Sequence, residues 1–200
     1  AIGSKINGQH VGIFGDIASY SFYGNKTITC GEGGMVVTNN KDLADNARKI
    51  KGQGLAANRQ YFHDIIGYNY RMTNICAAIG SAQMSRLDDI LSKKKRIYNK
   101  YYNRLHDYYE FQTTLPDHTN SYWMVSMLAQ NEQHRDALRD KLHKHGVETR
   151  PFFYPTNAMP MYNYLDDCNT CNDLSTKGFN VPSYPELSDS EIDIICDLMI

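Results

Sequence analysis

The stretch of sequence that decides the fold runs from Gly15 to Thr38 and reads GDIASYSFYGNKTITCGEGGMVVT. Apolar and polar residues alternate over Ile17–Phe22, which is typical of a β-strand. Gly31–Gly34 is a glycine-rich turn signal, and the apolar run Met35–Thr38 that follows it predicts a buried second strand. Lys26 therefore lies in a loop between two strands.

The position of Lys26 between apolar strands is unusual for a solvated surface charge. Partial burial there favours the free amine, which is the nucleophile in Schiff-base reactions. Ser21, at the end of the first strand, offers a hydroxyl that can meet a phosphate group. The residue pattern alone favours an ordinary loop lysine, because lysines commonly follow strands, and it leaves the catalytic interpretation open.

The composition of the 200-residue chain is that of a globular protein, with 42% hydrophobic and 22% charged residues. A formal net charge of -1 gives no electrostatic reason to expect nucleic acid or an anionic membrane as a partner. No apolar run approaches the roughly 18 residues that a membrane span needs. The chain opens at Ala1 without a methionine, so we expect it to be cut from a longer protein.

The cysteines and the main charge run have simple interpretations. The 5 cysteines are scattered and do not resemble a disulfide framework, so we expect a reducing cytoplasm. Cys168 and Cys171 form a lone CxxC, whereas a structural zinc site needs four ligands, so no metal is predicted. The run Lys93–Arg96 is interpreted as the solvated face of a helix.

Residue spacing predicts helices on both sides of Pro116. The predicted elements before Pro116 are a helix over 43–51 capped by Asp42 and a helix that starts after Thr73, runs to Leu91 and continues as a long helix over 93–109. Those after it are a strand over 121–129, a helix over 133–145 closed by Gly146, a strand over 147–150, and a final helix started by a capping box of Ser188 and Glu191.

Four blocks of sequence along the chain are informative when they are taken together. They are Ser21–Lys26 with Gly31–Met35, Gly67–Asn74 leading into Ala77–Gly80 and Gln83, Glu148–Pro155, and Val181–Pro185. Together they resemble the DegT/DnrJ/EryC1/StrS family of sugar aminotransferases, which use pyridoxal 5'-phosphate. Cys30 stands where many relatives have Thr, a mild departure without a clear consequence.

The resemblance implies roles for several residues. Lys26 is expected to form the Schiff base with the cofactor and to move the proton at the amino-bearing carbon, and Ser21 to bind the cofactor phosphate. Asn69 or Arg71 is expected to reach the phosphate bound to a partner subunit. The alternative for both is a structural role at the start of the helix near Thr73.

The block around Arg150 is expected to lie near the sugar nucleotide, with Arg150, Phe152 and Tyr154 as substrate-binding residues. The alternative, a packed turn of prolines and aromatic rings, is at least as well supported by the residues themselves.

The resemblance also implies an α/β fold, the type I fold of pyridoxal-phosphate transferases, here truncated. Residues 1–95 are expected to be the closing part of the large cofactor-binding domain, and residues 96–200 a small α+β C-terminal domain. Family members are roughly twice this length. Their N-terminal half supplies backbone amides for the phosphate, a ring stacked on the pyridine, and an Asp paired with the pyridine nitrogen. We therefore expect this chain alone to bind the cofactor poorly, and the intact enzyme to be a homodimer.

The activity that the resemblance implies is transfer of an amino group from an amino acid, expected to be glutamate, to a nucleotide-linked 4-keto-6-deoxysugar. Such a reaction belongs to cell-envelope polysaccharide biosynthesis. One alternative is another keto-sugar or a cyclitol ketone as the substrate. Another is a non-catalytic fragment that acts as a regulatory binding module.

Overall fold

A computed structural model describes residues 1–162 and 168–200 of the chain. These residues form two compact units. The first unit comprises residues 1–91 and 115–121, and the second comprises residues 92–114 and 122–200. The domain boundary between residues 95 and 96 stays a prediction.

The described residues fold into short strands and longer helices. The strands are β1 (Lys5–Ile6), β2 (Gln9–His10), β3 (Ala18–Ser21), β4 (Gly34–Val37), β5 (Glu110–Phe111), β6 (His118–Thr119), β7 (Val125–Leu128), β8 (Arg150–Pro151) and β9 (Gly178–Val181). The helices are α1 (Lys41–Lys51), α2 (Asn74–Met84), α3 (Leu87–Leu105), α4 (Glu132–Lys144), α5 (Asn169–Lys177) and α6 (Asp189–Met199). Short 3₁₀ turns cover Val11–Ile13, Thr156–Ala158 and Pro160–Tyr162.

The first unit contains two small antiparallel sheets. One has the strand order β2-β1-β6, and the other is the pair β3–β4, in which Ser21 stands opposite Gly34. Its buried core consists of Phe22, Ile28, Cys30 and Ile90. Three of these residues belong to the loop that follows β3, so the core of this unit is built around that loop.

The second unit is a four-stranded antiparallel sheet with the order β5-β7-β9-β8 and helices packed on it. All residues of β9 are buried, because it pairs on both sides and its apolar side chains meet the helices. Tyr101 and Leu105 of α3, Phe179 of β9 and Ile192 of α6 are all 0% exposed and belong to one core cluster.

Three predicted helix ends are confirmed. Thr73 caps α2, its hydroxyl accepting a hydrogen bond from the Cys76 backbone N–H at 3.3 Å. Gly146 follows α4 with φ 77°, a left-handed conformation that suits glycine. Ser188 and Glu191 form the predicted capping box. These ends depend on neighbours along the chain, and local sequence therefore identifies them.

The predicted Asp42 cap is wrong, because Asn40 caps α1. Its Oδ1 accepts hydrogen bonds from the backbone N–H groups of Asp42 at 2.9 Å and of Leu43 at 3.2 Å. Asp42 lies instead in the first turn, where its negative charge suits the positive end of the helix dipole.

The helix predicted over 74–91 and 93–109 is divided differently. It breaks after Met84, where the Ser85 hydroxyl donates to the Ala82 carbonyl at 2.9 Å, and it resumes at Leu87. Serine side chains compete in this way for backbone groups and weaken helices. Helix α5 was not predicted, because Asn, Thr, Ser and Asp dominate it and have weak helix propensity.

Two predictions of exposure are also wrong. The strand predicted as buried over 35–38 is exposed as β4, with Met35 at 49% and Val36 at 52%, because within the described residues it pairs with β3 alone and adds no residue to the core cluster of the unit. The charge run 93–96 is not uniformly solvated, since Lys94 is 5% exposed. Its Nζ donates to the Trp123 carbonyl at 2.8 Å, the Ser183 carbonyl at 2.5 Å and the Ser183 hydroxyl at 3.0 Å, and those three acceptors make its burial possible.

Candidate active site

The loop that carries Lys26 is closed by backbone hydrogen bonds. The Phe22 N–H donates to the Gly33 carbonyl at 2.9 Å, and the Cys30 N–H donates to the Phe22 carbonyl at 3.0 Å. Phe22, Ile28 and Cys30 are buried, whereas Lys26 is half-buried. The apolar side chains thus hold both ends of the loop and leave the lysine at its tip.

A tight turn sets the position of Lys26 itself. Its backbone N–H donates to the Tyr23 carbonyl at 3.0 Å.

The Ser21 hydroxyl lies at the end of β3, where the chain enters the same loop. Its Oγ accepts a long hydrogen bond from the Tyr23 backbone N–H at 3.4 Å, and Ser21 is exposed. A hydroxyl that accepts one hydrogen bond can still donate its own hydrogen to an anion. Ser21 thus lies where β3 enters the loop that carries Lys26.

Gly33 is required by the geometry of the loop. Its φ of 156° lies in a region that other residues rarely adopt, and a Cβ there would lie 2.7 Å from Cys30 Sγ and 2.8 Å from Met72 Cε. Met72 packs against the buried cluster of the loop. The block that contains Asn69 and Arg71 is therefore joined to the Lys26 loop through Met72.

Asn69 and Arg71 are both exposed. Asn69 forms an antiparallel bridge with Gly52 and lines an open surface depression. The rings of Tyr68 and Tyr70 stack with their centroids 4.9 Å apart. Because side chains alternate along an extended segment, Asn69 faces away from this ring pair.

The residues predicted to bind substrate lie in the second unit, whereas the predicted cofactor residues lie in the first. Arg150 on β8 is exposed, and two of its guanidinium nitrogens donate to Glu148 Oε1 at 3.3 and 3.4 Å. Phe152 donates its backbone N–H to the Gly178 carbonyl at 3.0 Å, and its ring covers that glycine. Tyr154 is 75% exposed.

Two buried residues were missed by the sequence analysis. Cys30 is 1% exposed, and burial raises the pKa of its thiol, so it anchors the loop as a neutral group. Burial lowers the pKa of Lys94 to about 8. Cys30 was noted only as a departure from the family motif. Lys94 was interpreted as part of a solvated run of charges.

No group of three or more His, Cys, Asp or Glu side chains within residues 1–162 and 168–200 is arranged to hold a metal ion. Over the same ranges, no helix has the length and apolar character needed to cross a membrane.

A comparison with known protein families shows which family the chain belongs to. The model of the DegT/DnrJ/EryC1/StrS aminotransferase family matches residues 1–200. The chain belongs to this family. The predicted resemblance is thereby confirmed.

Some members of the family are more similar to this chain in sequence than the family match alone indicates. The chain is 50% identical to a GDP-perosamine synthase of Escherichia coli O157:H7, over 98% of this chain and 54% of the relative. It is 43% identical to a GDP-perosamine synthase of Vibrio cholerae, over 98% of this chain and 55% of the relative. The chain thus spans about half the length of the curated relatives it matches.

A solved family structure confirms the predicted fold class. The aminotransferase TlmJ from Streptoalloteichus hindustanus superposes with a TM-score of 0.92 at 26% identity, over 99% of this chain and 55% of that chain. The α/β fold of pyridoxal-phosphate sugar aminotransferases, present here in truncated form, is therefore the fold of this chain.

Proposed function

We propose that this chain is part of a pyridoxal-phosphate-dependent aminotransferase that acts on a nucleotide-linked 4-keto-6-deoxysugar, with glutamate as the amino donor and an amino sugar such as GDP-perosamine as the product. The observation that carries the proposal is the Lys26 loop, which holds a half-buried amine between buried anchors. The similarity to GDP-perosamine synthases supports the substrate class.

The donor set on the first unit fits the proposed cofactor. Pyridoxal phosphate carries an aldehyde, which a primary amine such as Lys26 Nζ can bind covalently, and a phosphate, which the Ser21 hydroxyl can meet from the same turn. Asn69 and Arg71 add an amide and a guanidinium that suit phosphate oxygens, and we propose that they act on the site of a partner subunit. When bound, the cofactor supplies the electron sink for the reaction.

The work of the chain is then to position groups and to move a proton. In the proposed site Lys26 Nζ would hold the cofactor, and the same amine would carry the proton at the amino-bearing carbon of the substrate. The closed backbone of the loop fixes the position of the Lys26 Cα, from which this amine is presented.

The second unit contributes groups suited to a sugar nucleotide. We propose that Arg150 binds the diphosphate, in exchange for its exposed contact with Glu148, since a surface ion pair of this kind contributes little to stability. The exposed ring of Tyr154 and the ring of Phe152 offer apolar faces for the sugar or the base.

A homodimer is also part of the proposal. Helix α2 contains no buried residue and exposes Ile75 by 75% and Ile79 by 47%, on one face at helical spacing. An apolar helix is normally covered by other polypeptide, and we propose that a second subunit covers α2 in the full-length protein. The molar mass measured by light scattering during gel filtration tests it.

The proposal as a whole is tested with a hybrid protein, in which this chain is joined to the part of the E. coli relative that it does not match. The hybrid protein is supplied with cofactor, ¹⁵N-glutamate and a panel of nucleotide keto-sugars. We expect ¹⁵N in a GDP-linked amino sugar, and a loss of at least about 10²-fold in Lys26→Ala, because the proton carrier is gone.

The matched control is Lys41→Ala, since the Lys41 side chain is 86% exposed on α1. It should retain the activity. Amine transfer that is undiminished in Lys26→Ala would refute the proposed role of the lysine. If the amino group is transferred only to a sugar of another class, or to a cyclitol ketone, the proposed substrate is wrong.

A further inference from the structure

Cys168 and Cys171 lie together at the start of α5. Their sulfur atoms are 2.7 Å apart. A disulfide bond is about 2.05 Å long. The two sulfurs therefore need to approach by less than about 1 Å to form one.

The helix start explains why these side chains meet. Cys168 is the N-cap of α5, and Cys171 is its third residue. Side chains at these two positions face each other, as they do in a capping box. The same spacing at the start of α6 brings Ser188 Oγ within 2.6 Å of Glu191 Oε2.

The chemistry of the two thiols is unequal. The pKa of Cys168 is lowered because the Cys171 thiol hydrogen-bonds to it, and the pKa of Cys171 is raised by the same contact. The start of a helix also favours a thiolate. Cys171 is exposed and Cys168 half-buried, so small reagents can reach the pair.

We propose that Cys168 and Cys171 are a redox-active dithiol, which forms a reversible intramolecular disulfide by exchange with small-molecule disulfides. The Cys168 thiolate attacks one sulfur of the reagent, whose S–S bond breaks and releases one thiol. Cys171 then loses its proton and attacks Cys168 Sγ, releasing the second thiol. Two cysteine thiols are oxidised by two electrons, and one reagent disulfide is reduced to two thiols.

The other cysteines serve as internal comparisons. Cys30 is buried in the core of the first unit, and Cys196 is buried in the second, where burial raises its pKa to about 11. Buried neutral thiols exchange slowly. We therefore expect no reaction at these two thiols, and the proposed reaction takes place at the start of α5.

The test uses the whole 200-residue chain, equilibrated with mixtures of reduced and oxidised glutathione, quenched in acid, denatured and alkylated. Mass spectrometry should find one peptide that contains Cys168 and Cys171, lacks alkylation, and is lighter by two hydrogen atoms. Adding dithiothreitol should restore both thiols. Cys30 and Cys196 should be alkylated throughout.

Single variants separate the two roles. In Cys171→Ser the glutathione adduct should accumulate on Cys168, and in Cys168→Ser the internal disulfide should be lost completely. Cys76→Ser is the control and should keep it. The proposal is overturned by separate glutathione adducts on the two cysteines with no internal bond, by no reaction in excess oxidised glutathione, or by a disulfide that joins another pair.

Discussion

Replacement of Gly33 by alanine should destabilise the first unit more than any other glycine substitution in the Lys26 loop. The added Cβ would lie 2.7 Å from Cys30 Sγ and 2.8 Å from Met72 Cε, at a φ of 156°. Met72 presents the flexible end of its side chain and can move aside. Cys30 is 1% exposed within the core and has no room to do so.

The loss of folding free energy in Gly33→Ala has two parts. A non-glycine residue held in this backbone region costs about 1–3 kcal/mol. Overpacking of a filled core costs about 1–3 kcal/mol more. The sum, about 2–6 kcal/mol, is a large share of the ~5–15 kcal/mol by which a domain is stable.

Two neighbouring glycines supply the controls. Gly31 has φ 81° and open space around its Cβ, so Gly31→Ala should cost only the backbone strain, about 1–2 kcal/mol. Gly24 has open space and no positive φ, so Gly24→Ala should be neutral or stabilise by up to about 1 kcal/mol.

Urea unfolding followed by circular dichroism measures the three variants against the parent chain. The expected order of destabilisation is Gly33→Ala, then Gly31→Ala, then Gly24→Ala. If Gly33→Ala costs no more than Gly31→Ala, the contact with Cys30 does not constrain the loop, and the account of how Lys26 is positioned fails.

Three further predictions concern the second unit. Lys94 has a folded-state pKa of about 8, below its usual 10.5, so the unfolded chain binds more protons between these values and stability rises with pH there. Between about pH 7.5 and pH 10.5, the free energy of unfolding in urea should therefore rise by on the order of 3 kcal/mol more for the parent chain than for Lys94→Met. A difference between the two proteins that does not change with pH would contradict the assigned pKa. Gly178→Ala should cost about 1–3 kcal/mol, because the added Cβ would lie 2.1 Å from the Phe152 ring, and unchanged urea unfolding would show that the ring moves freely. Ser188→Ala should cost about 1 kcal/mol by loss of the capping box, measured as a lower Tm, and an unchanged Tm would mean that the end of α6 does not contribute to stability.

The parts of the fold that sequence predicts are those that neighbours along the chain determine. Thr73, Gly146 and the Ser188 capping box follow from residue types at short spacing, and the structure contains all of them. The start of α1 shows the limit of such reasoning. Asn40 and Asp42 are both good capping residues, and only the backbone conformation selects Asn40.

Burial was predicted less well, because it depends on contacts between distant residues. Lys94 belongs to a run of charges and is nevertheless enclosed by carbonyl groups of residues 123 and 183. Val36 belongs to an apolar run and is nevertheless exposed. Neither environment is encoded within a few positions of the residue itself.

The candidate site shows the same division. Lys26 and Ser21 were predicted as site residues from a family motif, and the structure places them in and next to the loop that follows β3. The support beneath them, Cys30 and Met72, could not be predicted, because these residues come from separate blocks and meet only in the folded unit.

Trapping of the cofactor on Lys26 tests the proposed Schiff-base role of this residue. The hybrid protein is incubated with pyridoxal phosphate, reduced with borohydride, digested and mapped by mass spectrometry. We expect an adduct concentrated on Lys26, retained in Lys41→Ala and lost in Lys26→Ala. An adduct spread over surface lysines, with Lys26 no more modified than Lys41, would contradict it.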